Sequence, residues 1–467
     1  MLLSVFHGRF FLMRLLLLAA TAGLVTIGII TIYAVGHPSN ELRIESEELR
    51  NNEEERKDSR TQGLKDTRTQ GRKNSRTREL ENARTQEDKD ARTQAPNKYT
   101  GKWKKQLIFA AAGLVMLVLV NLFNYQRLGP ISYALYAVVL FLLAILLVDK
   151  EIFNIPFVHD RKGIHRWIKI GFGFMVQPSE FCKIAYILAL AWYLRFRSNY
   201  RTFIGLAGPF ALTLLAMVLI LLEPDLGTTM LLMPVLFCML FVAGARVRHL
   251  GLILLMGLAV SPLMWKFMKS YQRMRVSSVL LQNETIKNAA ENNETLARIL
   301  VGNPDNLRTW ERNDGYQLLQ AKRAIASGGL TGYGFGKGPY LQNQSYLNIP
   351  EADNDMIFPI IAHQFGLIGC AVVLGLYIVL IACAIELAWL NTDPFGRLVA
   401  VGIAAMFAVQ VLVNVGMVLG MMPITGLTLP LVSYGGSSMV ANLIAVGLLN
   451  NIGRHRPFSV AKKPFEY

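Results

Sequence analysis

The chain has 467 residues, 52% of them hydrophobic and 17% charged, with a formal net charge of +16. A chain this apolar with so large a basic surplus must segregate its charges, which excludes an ordinary soluble domain. No nucleic-acid-binding motif accompanies the basicity, so nucleic acid is excluded as a partner. The seven histidines contain no HExxH pair, and the four cysteines (Cys182, Cys238, Cys370, Cys383) fall in apolar stretches without metal-ligand spacing, which excludes a protein-built zinc site.

In chain order, apolar runs are expected to form membrane-spanning helices at 9–36, 107–123, 131–148, 178–194, 203–222, 228–244, 250–267, 356–390 (one long span), 398–420 and 437–452. Each approaches or exceeds the roughly 20 residues that cross a bilayer's hydrocarbon core. The first exceeds the apolar region of a signal peptide, about 7–15 residues, and is kept as a span. The expected fold is therefore all-α, a polytopic integral membrane protein of about ten transmembrane helices. With the N-terminus cytoplasmic, the short Arg-rich loops and the basic tail lie inside, as the positive-inside bias requires, and both termini are cytoplasmic.

This divides the chain into a first transmembrane helix (1–40), a charged external loop (41–105), helices two to seven (106–267), a large external loop (268–355), helices eight to ten (356–453) and a basic cytoplasmic tail (454–467). Within the first loop, residues 57–96 form five successive octads around Arg-Thr-Gln, from "KDSRTQGL" to "KDARTQAP". An eight-residue period fits neither helix nor heptad, and there is almost nothing apolar to bury, so the segment is expected to be a disordered mixed-charge linker. Attachment to an anionic envelope polymer is the functional alternative.

The intramembrane pair Glu180 and Lys183, at i,i+3 in "QPSEFCKIA", reads as a buried strut or as a cavity wall. Arg166 and Trp167 precede it at the external boundary, the Trp as an interface anchor or a ligand contact. In "GLTGYGFGKG" (329–338), glycines at alternate positions, including Gly334 and Gly336, would let backbone N–H groups approach an anion, with Lys322, Arg323 and Lys337 supplying positive charge; a merely flexible loop is the alternative. "IPEADNDMIF" (349–358) then places Glu351, Asp353 and Asp355 before an apolar run, where helix capping is the plain explanation. Finally, Pro423, Pro430 and the cluster Gly435, Gly436, Ser437, Ser438 interrupt the last apolar region, which favours a buried site or re-entrant loop.

The motifs "QPSEFCKIA", "EPDLGTTM", "GYQLLQAKRAIASGGLTGYGFGKG", "IPEADNDMIFPIIAHQFG" and "LTLPLVSYGGSSMVANLIAVGLLNNI", in this order, resemble the SEDS family of RodA, FtsW and SpoVE proteins. The resemblance implies a peptidoglycan glycosyltransferase that polymerises lipid II into glycan strands on the outer face of the bacterial cytoplasmic membrane, in elongation or division. It implies as partners lipid II, the nascent glycan chain, membrane lipids and a class B penicillin-binding protein. Asp355 falls on the family's essential acid and would be the general base, accepting the proton of a GlcNAc 4-hydroxyl as undecaprenyl pyrophosphate leaves. Glu351, Arg166, Trp167, Lys322, Arg323, Lys337, Gly334, Gly336 and Ser437 are carried as substrate-binding candidates, and Glu180, Lys183, Asp225, Gly435 and Gly436 as structural or cavity positions. A divalent cation, magnesium or manganese, is a candidate cofactor, with Asp353 and Asp355 as its candidate contacts. The chain departs from the family at Asp353-Asn354, usually His-Thr, at His363-Gln364, usually Glu-Glu, and at Glu223, usually Gln. A lipid II flippase and a non-catalytic transpeptidase scaffold are the competing readings.

Overall fold

The computed structural model describes residues 2–37, 101–151, 158–160, 165–171, 174–196, 201–308, 310, 314–342 and 352–455. The octad repeat, Glu351 and most of the basic tail lie outside these residues.

All ten expected spans are helices: α1 (Leu2–Gly36), α2 (Lys102–Leu122), α3 (Leu128–Glu151), α4 (Pro178–Leu194), α5 (Ala207–Leu222), α6 (Leu226–Ala243), α7 (Val247–Phe267), α14 (Ile357–Leu390), α15 (Pro394–Val418) and α16 (Gly436–Arg454). Among the described residues, eight of these are long and apolar enough to cross a membrane on their own. The other two, α4 with 17 residues and α16 with a polar first turn and an Asn pair near its end, are buried along most of their length. Neighbouring helices rather than lipid cover them, so they need not be apolar all round. At the end of the bundle that holds the start of α1 and the end of α16, Arg14 Nε donates to Asn450 Oδ1 at 2.8 Å, and Asn450 Nδ2 donates to Asn121 Oδ1 at 2.8 Å. The start of α1 and the end of α16 therefore share one side, and the candidate site belongs to the opposite, distal side.

Two distal loops carry elements of their own, and the first, a small sheet, departs from the all-α expectation. Between α3 and α4, β1 (Val158–Asp160), β2 (His165–Gly171) and β3 (Phe174–Val176) form an antiparallel meander in that order. Between α7 and α14, the polar insertion is a group of short helices, α8 (Ser270–Leu281), α9 (Glu284–Asn292), α10 (Glu294–Val301) and α11 (Pro304–Arg308). They share a small core of Met274, Leu281, Ala297, Val301, Leu307 and Trp310. This group is followed by α12 (Asp314–Gly328) and α13 (Pro339–Gln342).

The long span 356–390 is not one rod. Gly366 has φ 62° and ψ −160°, so α14 is a short half-helix of nine residues followed by a membrane-length helix. A break at this depth exposes peptide groups that need protein partners. The loop after α12 supplies them: Tyr333 and Gly334 N–H donate to His363 O and Gln364 O at 3.1 and 2.9 Å. In return, Leu367 and Ile368 N–H donate to Gly329 O and Leu330 O at 2.9 and 3.1 Å. The two backbones touch so closely that a methyl on Gly366 would lie 2.4 Å from Leu330 O.

Gly366→Ala therefore adds both a left-handed non-glycine residue and a backbone clash, and should cost about 1–3 kcal/mol. The thermal unfolding midpoint in detergent should fall by several degrees, whereas Gly251→Ala on α7, where an added methyl meets nothing within 4 Å, should leave it unchanged.

Candidate active site

The short half-helix of α14 begins just after Asp353, Asn354 and Asp355, and each main-chain carbonyl of these three residues is held by a different group. Tyr434 N–H donates to Asp353 O at 2.8 Å, Ser433 Oγ to Asn354 O at 2.6 Å, and Asn414 Nδ2 to Asp355 O at 2.8 Å. Asn414 is fully buried in α15 and also donates to Leu427 O at 2.7 Å, so one amide joins the acidic segment to the loop between α15 and α16.

The acids themselves are treated differently. Asp353 is 0% exposed, and Lys102 Nζ at the start of α2 donates to its Oδ2 at 2.6 Å. A buried carboxylate needs such a counter-charge, and losing one partner of a buried pair typically costs about 3–5 kcal/mol. Asp355 is 8% exposed, and its Oδ2 faces the bare backbone of Gly426, where an added methyl would lie 3.7 Å away. Gly426 has φ 75°, a conformation that leaves this approach to a residue without a side chain. Lys102 Nζ also stands 5.2 Å from the Tyr434 ring centre. One turn along α2, Gln106 donates to Ser433 O at 3.1 Å and accepts from Gly435 N–H at 3.2 Å.

The loop carrying Gly426 leans on the start of α6, where Gly227 packs against Leu427 and the Thr425 carbonyl. Asp225 caps that helix: its Oδ1 accepts from Thr228 N–H at 3.2 Å, and its Oδ2 accepts from Thr228 Oγ1 at 3.0 Å and from Ser179 Oγ at 3.1 Å. These bonds tie the start of α6 to the start of α4. Glu180 and Lys183 pair at 2.8 Å in the interior of the bundle, Lys183 with 2% of its side chain exposed. Gly435 and Gly436 open α16, and a methyl on Gly436 would strike the Phe109 ring at 2.8 Å.

Several substrate-binding candidates have protein partners instead. Arg166 Nε donates to Glu223 O at 2.6 Å and its terminal nitrogen to Pro224 O, so its guanidinium clamps the turn between α5 and α6. Trp167 is half-buried within the meander, in register with His159. Gly334 N–H is bonded to Gln364 O, and Gly336 N–H donates to Gln364 Oε1 at 3.2 Å. The glycine spacing thus serves the break in α14, not the anion cradle that the spacing suggested. Ser437 Oγ accepts from Gln177 N–H at 2.8 Å and joins α16 to the entrance of α4. Lys322 Nζ donates to Gln282 Oε1 at 3.0 Å, and Arg323 and Lys337 are exposed. Among the described residues, no group of three or more His, Cys, Asp or Glu side chains is placed to hold a metal ion.

Lys102, Gln106, Tyr434 and Asn414 were not anticipated. Asn414 carried a readable signal, a lone amide in the apolar run "VLVNVG", which is costly in a span unless it has work to do.

The "Cell cycle protein" family model of FtsW, RodA and SpoVE matches residues 90–457. Stage V sporulation protein E of Bacillus subtilis is 34% identical over 362 residues, 75% of this chain and 87% of that protein. The peptidoglycan glycosyltransferase MrdB of Escherichia coli is 34% identical over 363 residues, 76% of this chain and 86% of that protein. Among solved structures, a chain from work on the coordination of polymerization and crosslinking by a peptidoglycan synthase complex is similar at 32% identity, with a TM-score of 0.60, covering 77% of this chain and 91% of that one. The rod shape determining protein RodA of Thermus thermophilus shares the fold at 24% identity, with a TM-score of 0.55 over 94% of this chain and 96% of that one.

Glu223 closes the site's electrostatics. It is 2% exposed, and burial, reinforced by the negative charge of Asp225 and opposed by Arg166, pushes its carboxyl up to about 9. The native state then keeps a proton that the unfolded chain releases above about 4.5, so stability falls as pH rises through that window. Glu223→Gln cannot ionise. Its thermal midpoint should match the parent near pH 5 and exceed it progressively towards pH 9 in a detergent unfolding series.

Proposed function

The chain belongs to the FtsW/RodA/SpoVE family and is a multi-pass membrane peptidoglycan glycosyltransferase, and we propose that it polymerises lipid II at its distal face with Asp355 as general base. The distal face is then the outer face of a bacterial cytoplasmic membrane, and the termini are cytoplasmic. The observation that carries this reading is the setting of Asp355. The carboxylate sits at the mouth of a broken helix, its main chain fixed by Asn414 and one oxygen turned to the open backbone of Gly426.

A sugar hydroxyl is a weak nucleophile at neutral pH. A positioned carboxylate that takes up its proton during attack contributes roughly 100- to 10,000-fold. In this reading Asp355 accepts the proton of the acceptor's GlcNAc 4-hydroxyl while that oxygen bonds to the anomeric carbon of the growing chain, and the bond to undecaprenyl pyrophosphate breaks. One base and a good leaving group suit a single displacement with inversion. Arg323 and Lys337, exposed near the distal surface, are the cations we assign to the departing pyrophosphate. A divalent cation, magnesium or manganese, would neutralise leaving-group charge, but no three His, Cys, Asp or Glu side chains among the described residues converge to hold one. The likeness to a synthase-complex chain supports a crosslinking partner, and we assign that role to a class B penicillin-binding protein.

Purified protein given lipid II should make glycan polymer, and Asp355→Asn should lower the rate at least about 100-fold while the protein stays folded. Translocation of lipid II without polymer would instead identify a flippase, and cell-wall complementation by Asp355→Asn would identify a scaffold.

A further inference from the structure

We propose that Lys102 is a positioning residue for polymerisation: its ion pair with Asp353 fixes the segment that presents Asp355 and makes the first turn of α2 part of the active-site frame. The inference rests on Asp355 being the base. Its geometry spans three separate stretches of chain. Lys102 and Gln106 lie one turn apart on α2, and so on one face. The first holds Asp353 through a 2.6 Å charge-assisted bond, and the second holds Ser433 O and Gly435 N–H. Ser433 and Tyr434 in turn hold the carbonyls of Asn354 and Asp353. The acidic segment and the segment 433–435 are thus clamped to each other and to the same turn of α2.

Within this clamp the ion pair is the charged member. The Asp353 carboxylate has no exposed surface, whereas Lys102 keeps 21% of its side chain exposed. Without the ammonium, an ionised Asp353 must move towards water. It can do so only by rotating the peptide units that end at Asp355, two residues on. A displacement of about 1 Å at a reacting group can cost about 100-fold in rate. The ammonium acts through Asp353 and the peptide units that follow it, so the loss should fall on turnover and not on substrate binding.

The test uses the full chain, purified in detergent, with lipid II as substrate and polymer read on gels, alongside thermal unfolding to normalise for folded protein. Lys102→Met should lower kcat at least about 10-fold with KM within about 2-fold. Lys102→Arg, which keeps the charge, should retain most of the activity. Lys102→Asp and Asp353→Lys should each be poorly active, and the double variant should regain activity over both. The proposal is overturned if folded Lys102→Met turns over like the parent while Asp355→Asn is inactive, or if the folded charge-swapped double is no better than either single. An active Asp355→Asn would overturn the base assignment and this inference with it.

Discussion

The site exists because backbone can be broken at membrane depth only where other protein groups take up the peptide bonds. Within hydrocarbon, an unpartnered N–H or C=O costs several kcal/mol, so an interruption such as Gly366 is tolerable only when something is built against it. Here the loop after α12 lays its own peptides along residues 363–368, with exchange in both directions. The non-helical stretch between α15 and α16 meets the same requirement through Asn414, Ser433 and Gln106. These bonds make the irregular backbone possible, and they also make it rigid. A carboxylate mounted on a half-helix with every nearby carbonyl engaged has little freedom to wander, which is the precondition for general-base work.

The same low-polarity setting explains how the chain accommodates its buried acids. Glu180 takes Lys183 from the same helix, Asp353 takes Lys102 from another, and Asp225 spends its oxygens on a helix cap and on Ser179. Glu223 follows a different route. Its carboxyl is buried beside Asp225, while Arg166 is directed to main-chain carbonyls, so it is most comfortable protonated. Buried acids in this chain are thus accommodated by different means, an ammonium, a helix cap or, for Glu223, a retained proton.

Much of this was legible in the sequence, and what was not had a common cause. Apolar runs of the right length marked all ten helices because length and hydropathy are local properties. The i,i+3 spacing of Glu180 and Lys183 gave their pairing for the same reason. The break in α14 was hidden, since Gly366 in an apolar run is as compatible with a continuous span as with a kink. Its consequence was misread too: alternate glycines at 332–338 suggest amides open to an anion, yet Gly334 and Gly336 turn those amides to Gln364. The meander at 158–176 lay in a polar loop too short for a clear period. The Lys102–Asp353 pair joins residues 251 positions apart, and no pattern along the chain brings such partners together.

That pair also separates Asp353 from Asp355 within "IPEADNDMIF". A buried carboxylate that receives an ammonium at close range has its orientation committed to that partner. Asp353 is in that position, and its burial leaves no surface for a hydroxyl to approach. On Asp355 the buried amide of Asn414 falls on the main-chain carbonyl, so orientation is fixed without spending the side chain on that anchor. The departure of this chain from the family's usual His at 353 would, taken alone, set two anions two residues apart. With Lys102 folded onto the first of them, that acid is tied to α2, and Asp355 is the one that the proposed reaction uses.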